Sequence, residues 1–198
     1  MIRFRRPSQI EIDDHLSLSD SSFSYPEVGA TATSASLDSI AVHYDVDRHR
    51  FSLGIGRDLF ERARTSLLAW RQFEIPWLEF HGDKTQPKSD QIVATLTRFA
   101  GLWFLNPCRV VYAECADDTS NEAVFAYGTL PGHVERGEER FAVSFDPTTG
   151  EVSYEILAFS RPAVPLSKIG YFWVRRLQKR FALSSAEALT RACQLGAS

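Results

Sequence analysis

Hydrophobic positions recur every second residue through the middle of the chain and every third or fourth residue on either side of it, which separates strands from helices. His43–Leu53 alternates imperfectly in β-compatible residues until Gly54-Ile55-Gly56 interrupts it, predicting a strand that feeds a helix. Phe60, Ala63, Leu67 and Trp70 then fall on one stripe among Arg57, Glu61, Arg62, Arg64 and Arg71. That pattern predicts an amphipathic helix over 57–73 with Trp70 on its buried side. Pro76 closes this region, and Trp77–Phe80 opens a series of strand-like runs: Gln91–Phe99, Cys108–Cys115, Glu122–Gly128, Glu139–Phe145 and Glu151–Phe159. Asp117–Asn121 and Asp146–Gly150 have hairpin chemistry, the second a type I turn former followed by a Gly suited to positive φ. Phe141, Val143 and Phe145 alternate with Arg140, Ala142 and Ser144, giving that strand one apolar and one partly wet face.

The last stripe starts near Pro165 and carries Ile169, Phe172, Trp173, Leu177 and Phe181, flanked by Lys168, Arg175, Arg176, Lys179 and Arg180. It predicts a long amphipathic helix. Ser184 and Glu187 have capping-box spacing, so this helix either restarts there or continues its stripe through Ala188, Leu189 and Ala192. Ser17–Ser24 and Gly29–Ser36 have no sustained period. Residues 1–22 therefore read as an N-terminal arm, and 23–198 as a single domain.

Strand, helix, about six antiparallel strands and a long terminal helix is an α+β order. A long apolar stripe is the natural partner for a curved sheet of six or seven strands, because neither buries its apolar face alone. This order resembles the helix-grip architecture of the START and birch-pollen-allergen superfamily.

Ser24-Tyr25-Pro26-Glu27-Val28-Gly29-Ala30-Thr31, Leu53–Gly56, Ala69-Trp70, Asn106–Val110, Tyr127–His133, Gly137–Phe141 and Ser160-Arg161-Pro162 resemble the domain-of-unknown-function family numbered nineteen-ninety. Arg175-Arg176-Leu177-Gln178 and Phe181 extend the match, so it spans roughly residues 23 to 192. The resemblance implies no activity, cofactor or substrate.

With 198 residues, 44% of them hydrophobic, the chain is long enough for one sizeable core. A net charge of −3 gives no global field for a polyanion, so nucleic acid is not an expected partner. Cys108, Cys115 and Cys193 are odd in number and form no paired motif, which points to a reducing, cytoplasmic setting. Neither a secretory signal nor an apolar run of membrane-crossing length is seen.

Titratable residues concentrate in the turn around Tyr127–Phe141. His133, Glu135, Glu138 and Glu139 could form an acid–base pair or, being simply a charged hairpin, a solvated turn; their spacing fits no metal motif. His133, Glu138 and Arg161 are the catalytic candidates, His133 as proton carrier. Arg109 and Arg161 suit either an ion pair with Glu138 or Glu139, or the acidic head of a ligand. Trp70, Trp103, Tyr112, Phe125, Tyr127, Tyr154 and Trp173, with Phe99 and Phe172, are the candidate lining of a sheet–helix cavity; a packed aromatic core is the alternative. Gly54-Ile55-Gly56 lacks the third Gly of a dinucleotide fingerprint and the Lys of a phosphate loop, so it reads as a turn before a helix starting at Gly56 or Asp58.

The leading expectation is a non-enzymatic binding domain for an apolar or amphiphilic small molecule or lipid in a sheet–helix cavity, with no cofactor and no metal. An enzyme using Tyr127, His133, Glu138 and Arg161 is the second. The third is an interaction module whose basic terminal helix docks on an anionic surface or partner.

Overall fold

Strands β2 (Asp45–Ile55), β3 (Leu78–Gly82), β4 (Ile92–Phe99), β5 (Leu102–Glu114), β6 (Glu122–Thr129), β7 (Glu135–Phe145) and β8 (Glu151–Pro162) form one sheet in the order β2-β8-β7-β6-β5-β4-β3. A two-residue strand, β1 (Ile2–Arg3), adds to β5, and every pairing is antiparallel. Helices are α1 (Gln9–Leu16), α2 (Ser34–Ile40), α3 (Arg57–Leu68) and α4 (Tyr171–Leu195). The computed structural model describes residues 1–17, 22–114, 120–163 and 171–195. The Asp117–Asn121 connection, Cys115, the start of the last helix near Pro165 and the side chain of Phe172 therefore lie wholly or partly outside the described residues.

Register breaks at Ser52/Gly54 and Val110/Tyr112 interrupt the ladders of β2 and β5, and such bulges bend a sheet. Gly56 caps α3 at φ 113°, directly after β2, as expected from the Gly-Ile-Gly turn. The Asp146–Gly150 hairpin also forms as read: Asp146 caps the Thr148 N–H at 2.8 Å, and Gly150 takes φ 75°. Helix α3 is shorter than its stripe. It ends at Leu68, and Trp70 turns left-handed (φ 60°) so that its buried indole reaches the Thr85 carbonyl at 2.8 Å. At the other end of the chain α4 runs unbroken through Ser184 and Glu187, with Ala182, Ala186 and Leu189 carrying the apolar stripe inward.

The concave face of the sheet holds the main core. Trp70, Phe73, Phe80, Phe125 and Phe141 stack with Phe181 of α4 in a chain of ring contacts 4.7–6.4 Å apart. Buried Ser185 on that helix bonds to the Tyr154 hydroxyl at 2.8 Å. The convex face is covered too. Ser8 and Glu11 form a capping box that starts α1, which buries Ile12 against Ala94, Leu96 and Leu105 with Trp103 beside it. Tyr25, Leu37, Ile40 and Tyr44 cover Leu157 and Phe159. Residues 1–16 and 22–44 thus lie docked on the sheet, and this explains why β6 is buried on both faces almost throughout.

Glu138 fastens that cover. Its carboxylate, in a residue only 2% exposed, accepts bonds from the Tyr25 hydroxyl (2.7 Å), the Gly29 N–H (2.7 Å), the Thr31 N–H (3.0 Å) and the Thr31 hydroxyl. Gly128 permits the approach, since a Cβ there would meet the Tyr25 hydroxyl at 2.1 Å. Glu138→Ala strands several buried donors and is expected to lower the unfolding free energy by roughly 3 kcal/mol in urea titrations. A loss within experimental error would contradict this role.

Candidate functional site

The inward faces of four strands change character in the same direction. On β2, Phe51 gives way to His49 and Asp47; on β7, Phe141 gives way to Glu139, Gly137 and Glu135. On β6 the change runs from Phe125 to Tyr127 and Thr129, and on β8 from Tyr154 and Ile156 to Ala158 and Ser160. The register brings these ends together: Asp47 pairs with Ala158, Ala158 with Glu139, and Glu139 with Tyr127. A cavity of about 490 Å³ lies at this end, between the sheet and the first half of α4. Its apolar wall includes Leu78, Phe99, Phe104, Trp173, Leu177 and Phe181, and Trp173, 54% exposed, stands with Ala100 where the wall reaches solvent.

Polar links hold the helix above this space. Arg175 makes a two-pronged ion pair with Asp47 and donates to the Gln178 side-chain oxygen at 2.9 Å. The Gln178 amide donates in turn to Glu135 (2.8 Å) and to the Ser160 hydroxyl (3.1 Å). Glu139 accepts the Tyr127 hydroxyl at 2.7 Å. Burial raises the Glu135 and Glu139 carboxyls from the ordinary 4.5 to about 7, against the opposing pull of their hydrogen bonds. Burial likewise keeps the Tyr127 phenol protonated. His133 takes the Glu135 N–H on Nδ1 at 2.9 Å, and burial pushes it down to about 3, so its ring is neutral.

Of the residues singled out in the sequence, Tyr127, Trp173, Phe99, His133, Glu135 and Glu139 line the cavity. Trp70, Phe125 and Tyr154 lie in the packed aromatic half instead. Trp103 belongs to the convex-face cluster, and Tyr112 bonds to Thr31 at 2.8 Å. The guanidinium of Arg109 sits over the Phe23 ring and that of Arg161 over the Tyr44 ring, at 5.5 and 4.7 Å, rather than on the cavity wall. Glu138 borders the cavity, but its carboxylate is taken up by the 25–31 segment. The trio His133, Glu138 and Arg161 therefore does not converge on one point. Strand alternation is the reason: in β7 residues 135, 137, 139 and 141 face inward, and 138 faces the convex cover.

Asp47, His49, Asn106 and Gln178 also line the cavity and were not among the sequence candidates. For Asp47 and His49 the signal was the imperfect alternation of His43–Leu53, whose inward positions turn polar toward one end. The basic face of α4 is partly committed: Arg175 holds Asp47, and Arg180 lies over Trp77 at 4.6 Å. Among the described residues no group of three His, Cys, Asp or Glu is placed to hold a metal ion, and no helix is long and apolar enough to cross a membrane. Cys108 and Cys193 are buried free thiols.

A curved antiparallel sheet closed by a long C-terminal helix over a cavity defines a helix-grip protein. An aromatase/cyclase from Streptomyces sp. R1128 shares this fold, with a TM-score of 0.55 at 13% identity over 77% of this chain and 94% of that one. Residues 24–188 match the family described as Domain of unknown function (DUF1990), and the chain belongs to it. A UPF0548 protein of Dictyostelium discoideum is 32% identical over 97% of this chain and 95% of its own length. One from Arabidopsis thaliana is 35% identical over 74% and 72%, respectively.

The raised carboxyls predict how stability responds to pH. Between 4.5 and about 7 the unfolded chain ionises Glu135 and Glu139 while the folded chain keeps their protons. The folded state then binds more protons, so the unfolding free energy falls as pH rises through that window. Urea unfolding at pH 5 and pH 8 should show a loss of roughly 1–3 kcal/mol per group, and Glu139→Gln should remove part of it. An unchanged pH dependence in that variant would count against the assignment.

Proposed function

We propose that the protein is a binding domain for an amphiphilic small molecule, held in the cavity between the sheet and the first half of α4. The observation that carries this reading is the cavity itself. Its size, about 490 Å³, falls in the usual range for small-molecule sites, and its wall combines an apolar stretch with a polar group where Asp47, Glu135, Glu139, Tyr127 and Gln178 gather. An apolar body would replace solvent along Leu78, Phe104, Leu177 and Phe181, and a polar group would meet the hydrogen-bonding end. Helix-grip relatives such as the aromatase/cyclase carry a function on the same scaffold at low identity, which supports a ligand site but names no ligand.

A second reading, an enzyme acting on the bound molecule, is favoured by one observation. Glu139 is a buried carboxyl raised to about 7 and bonded to a phenol, the condition of a group that can both give and take a proton near neutral pH. In that reading the acid–base work falls to Glu139 with Tyr127, rather than to His133, Glu138 and Arg161.

Purified protein should enhance the fluorescence of N-phenyl-1-naphthylamine, and decanol should displace it. Ala158→Trp, which fills the space opposite Glu139, should weaken the probe at least tenfold with its thermal transition retained. Leu177→Trp blocks the cavity independently from the helix side. No enhancement with the wild type, together with no ligand retained in native mass spectrometry, would reject the proposal.

A further inference from the structure

We infer that the ligand carries a cationic nitrogen, an ammonium or alkylated ammonium head on an apolar body; this rests on the cavity-binding reading above. The described lining residues include four acids and two histidines, with no lysine or arginine among them. Glu138 directs its carboxylate to Tyr25, Gly29 and Thr31, so it leaves the inventory. His133 is held neutral by burial and occupies its Nδ1 with a backbone N–H. Asp47, Glu135 and Glu139 remain, and the cation recorded against them is Arg175 of α4, which forks onto Asp47.

Glu139 is faced from every side by groups that do not neutralise it. Tyr127 on β6 supplies a neutral phenol; Asp47 on β2 and Glu135 on β7 add like charge; Cys108 on β5 and Tyr154 on β8 are buried with raised pKa values. His49 on β2 completes the wall opposite Ile156, and Arg175 on α4 forks onto Asp47. Hydrogen-bonding capacity leans the same way. Among the described residues the Asn106 side-chain oxygen is buried without a partner, Glu139 accepts from Tyr127 alone, and Glu135 is bound by neutral amide and hydroxyl donors. This end of the cavity offers acceptors and calls for donors.

An ammonium meets both demands, because it brings a positive charge and, when unalkylated, three N–H donors. A fatty-acid carboxylate or a phosphate head meets neither and would be repelled in a site of low dielectric. The ring of Tyr127, whose hydroxyl is bonded to Glu139, suits a cationic head or its alkyl groups as well.

The test uses three ten-carbon probes that differ only at the head: decylamine, decanol and decanoate, titrated calorimetrically into the full chain below their critical micelle concentrations. At pH 8 the amine is expected to bind at least tenfold more tightly than the alcohol, and decanoate at least tenfold more weakly than the alcohol. At pH 5, with Glu135 and Glu139 protonated, the amine-to-alcohol ratio should shrink by at least fivefold. Glu139→Gln should reduce the pH 8 ratio to within threefold of unity. In the wild type at pH 7, comparing buffers of different ionisation enthalpy should reveal a fraction of a proton released on binding the amine and none on binding the alcohol. This readout needs no variant.

Equal binding of amine and alcohol, or preference for decanoate, overturns the cationic ligand and leaves the cavity reading standing. Failure of all three probes to bind overturns both.

Discussion

The long terminal helix is held to the sheet in two different ways along its length, and the rest of the site depends on that difference. Over its second half, buried Ala186, Leu189 and Cys193 let it settle onto α3 and the core, so that half of the concave face is filled. Over its first half the contacts are polar and longer: Arg175 to Asp47, and Gln178 to Glu135 and Ser160. Side chains of this length hold a helix off the sheet, whereas apolar packing would draw it down until no space remained. The cavity is the consequence of replacing packing with struts at one end.

The struts also set the electrostatics. Removing a carboxylate from water is costly unless it is paired, and the fork of Arg175 on Asp47 satisfies that demand for one acid. Among the described residues Glu135 and Glu139 receive hydrogen bonds from neutral donors, and burial raises their carboxyls to about 7. The same burial that gives the cavity its apolar wall therefore makes its polar end responsive to pH and to the charge of whatever enters. On the opposite side of the sheet the cover formed by residues 22–44 is anchored by Glu138. Adjacent glutamates on one strand thus serve opposite faces: Glu138 closes the outside, and Glu139 faces the inside.

Much of the fold was legible in the sequence because it is written in periodicity. The α+β order, the Gly-Ile-Gly turn, the Asp146–Gly150 hairpin and the long amphipathic helix all follow from spacing that each segment carries within itself. Two readings fell short for local reasons. The stripe from Phe60 to Trp70 is compatible with a longer helix, but tertiary placement of the Trp70 indole ends it. The capping box at Ser8 and Glu11 is a clear helix start that the scarcity of apolar residues around it obscured. The candidate site was legible only in part. The motifs Gly137–Phe141, Ser160–Pro162 and Arg175–Gln178 were visible as a family pattern, yet their roles depend on which face each residue takes and on partners far away in sequence. Ser160 and Gln178 meet across 18 positions, and Arg175 and Asp47 across 128. No local pattern reports such pairings. Aromatic content was an ambiguous guide, because the same residue types fill one half of the concave face and line the other.

The central claim is that the interior is divided, solid under the second half of α4 and hollow under the first. Methyl-resolved NMR during titration with decanol tests it most directly. Shifts are expected at cavity-lining methyls such as Val134, Ala158, Val174 and Leu177, with Ala63, Leu67, Val110 and Val143 unmoved. Shifts spread evenly over both sets, or centred on the second, would contradict it.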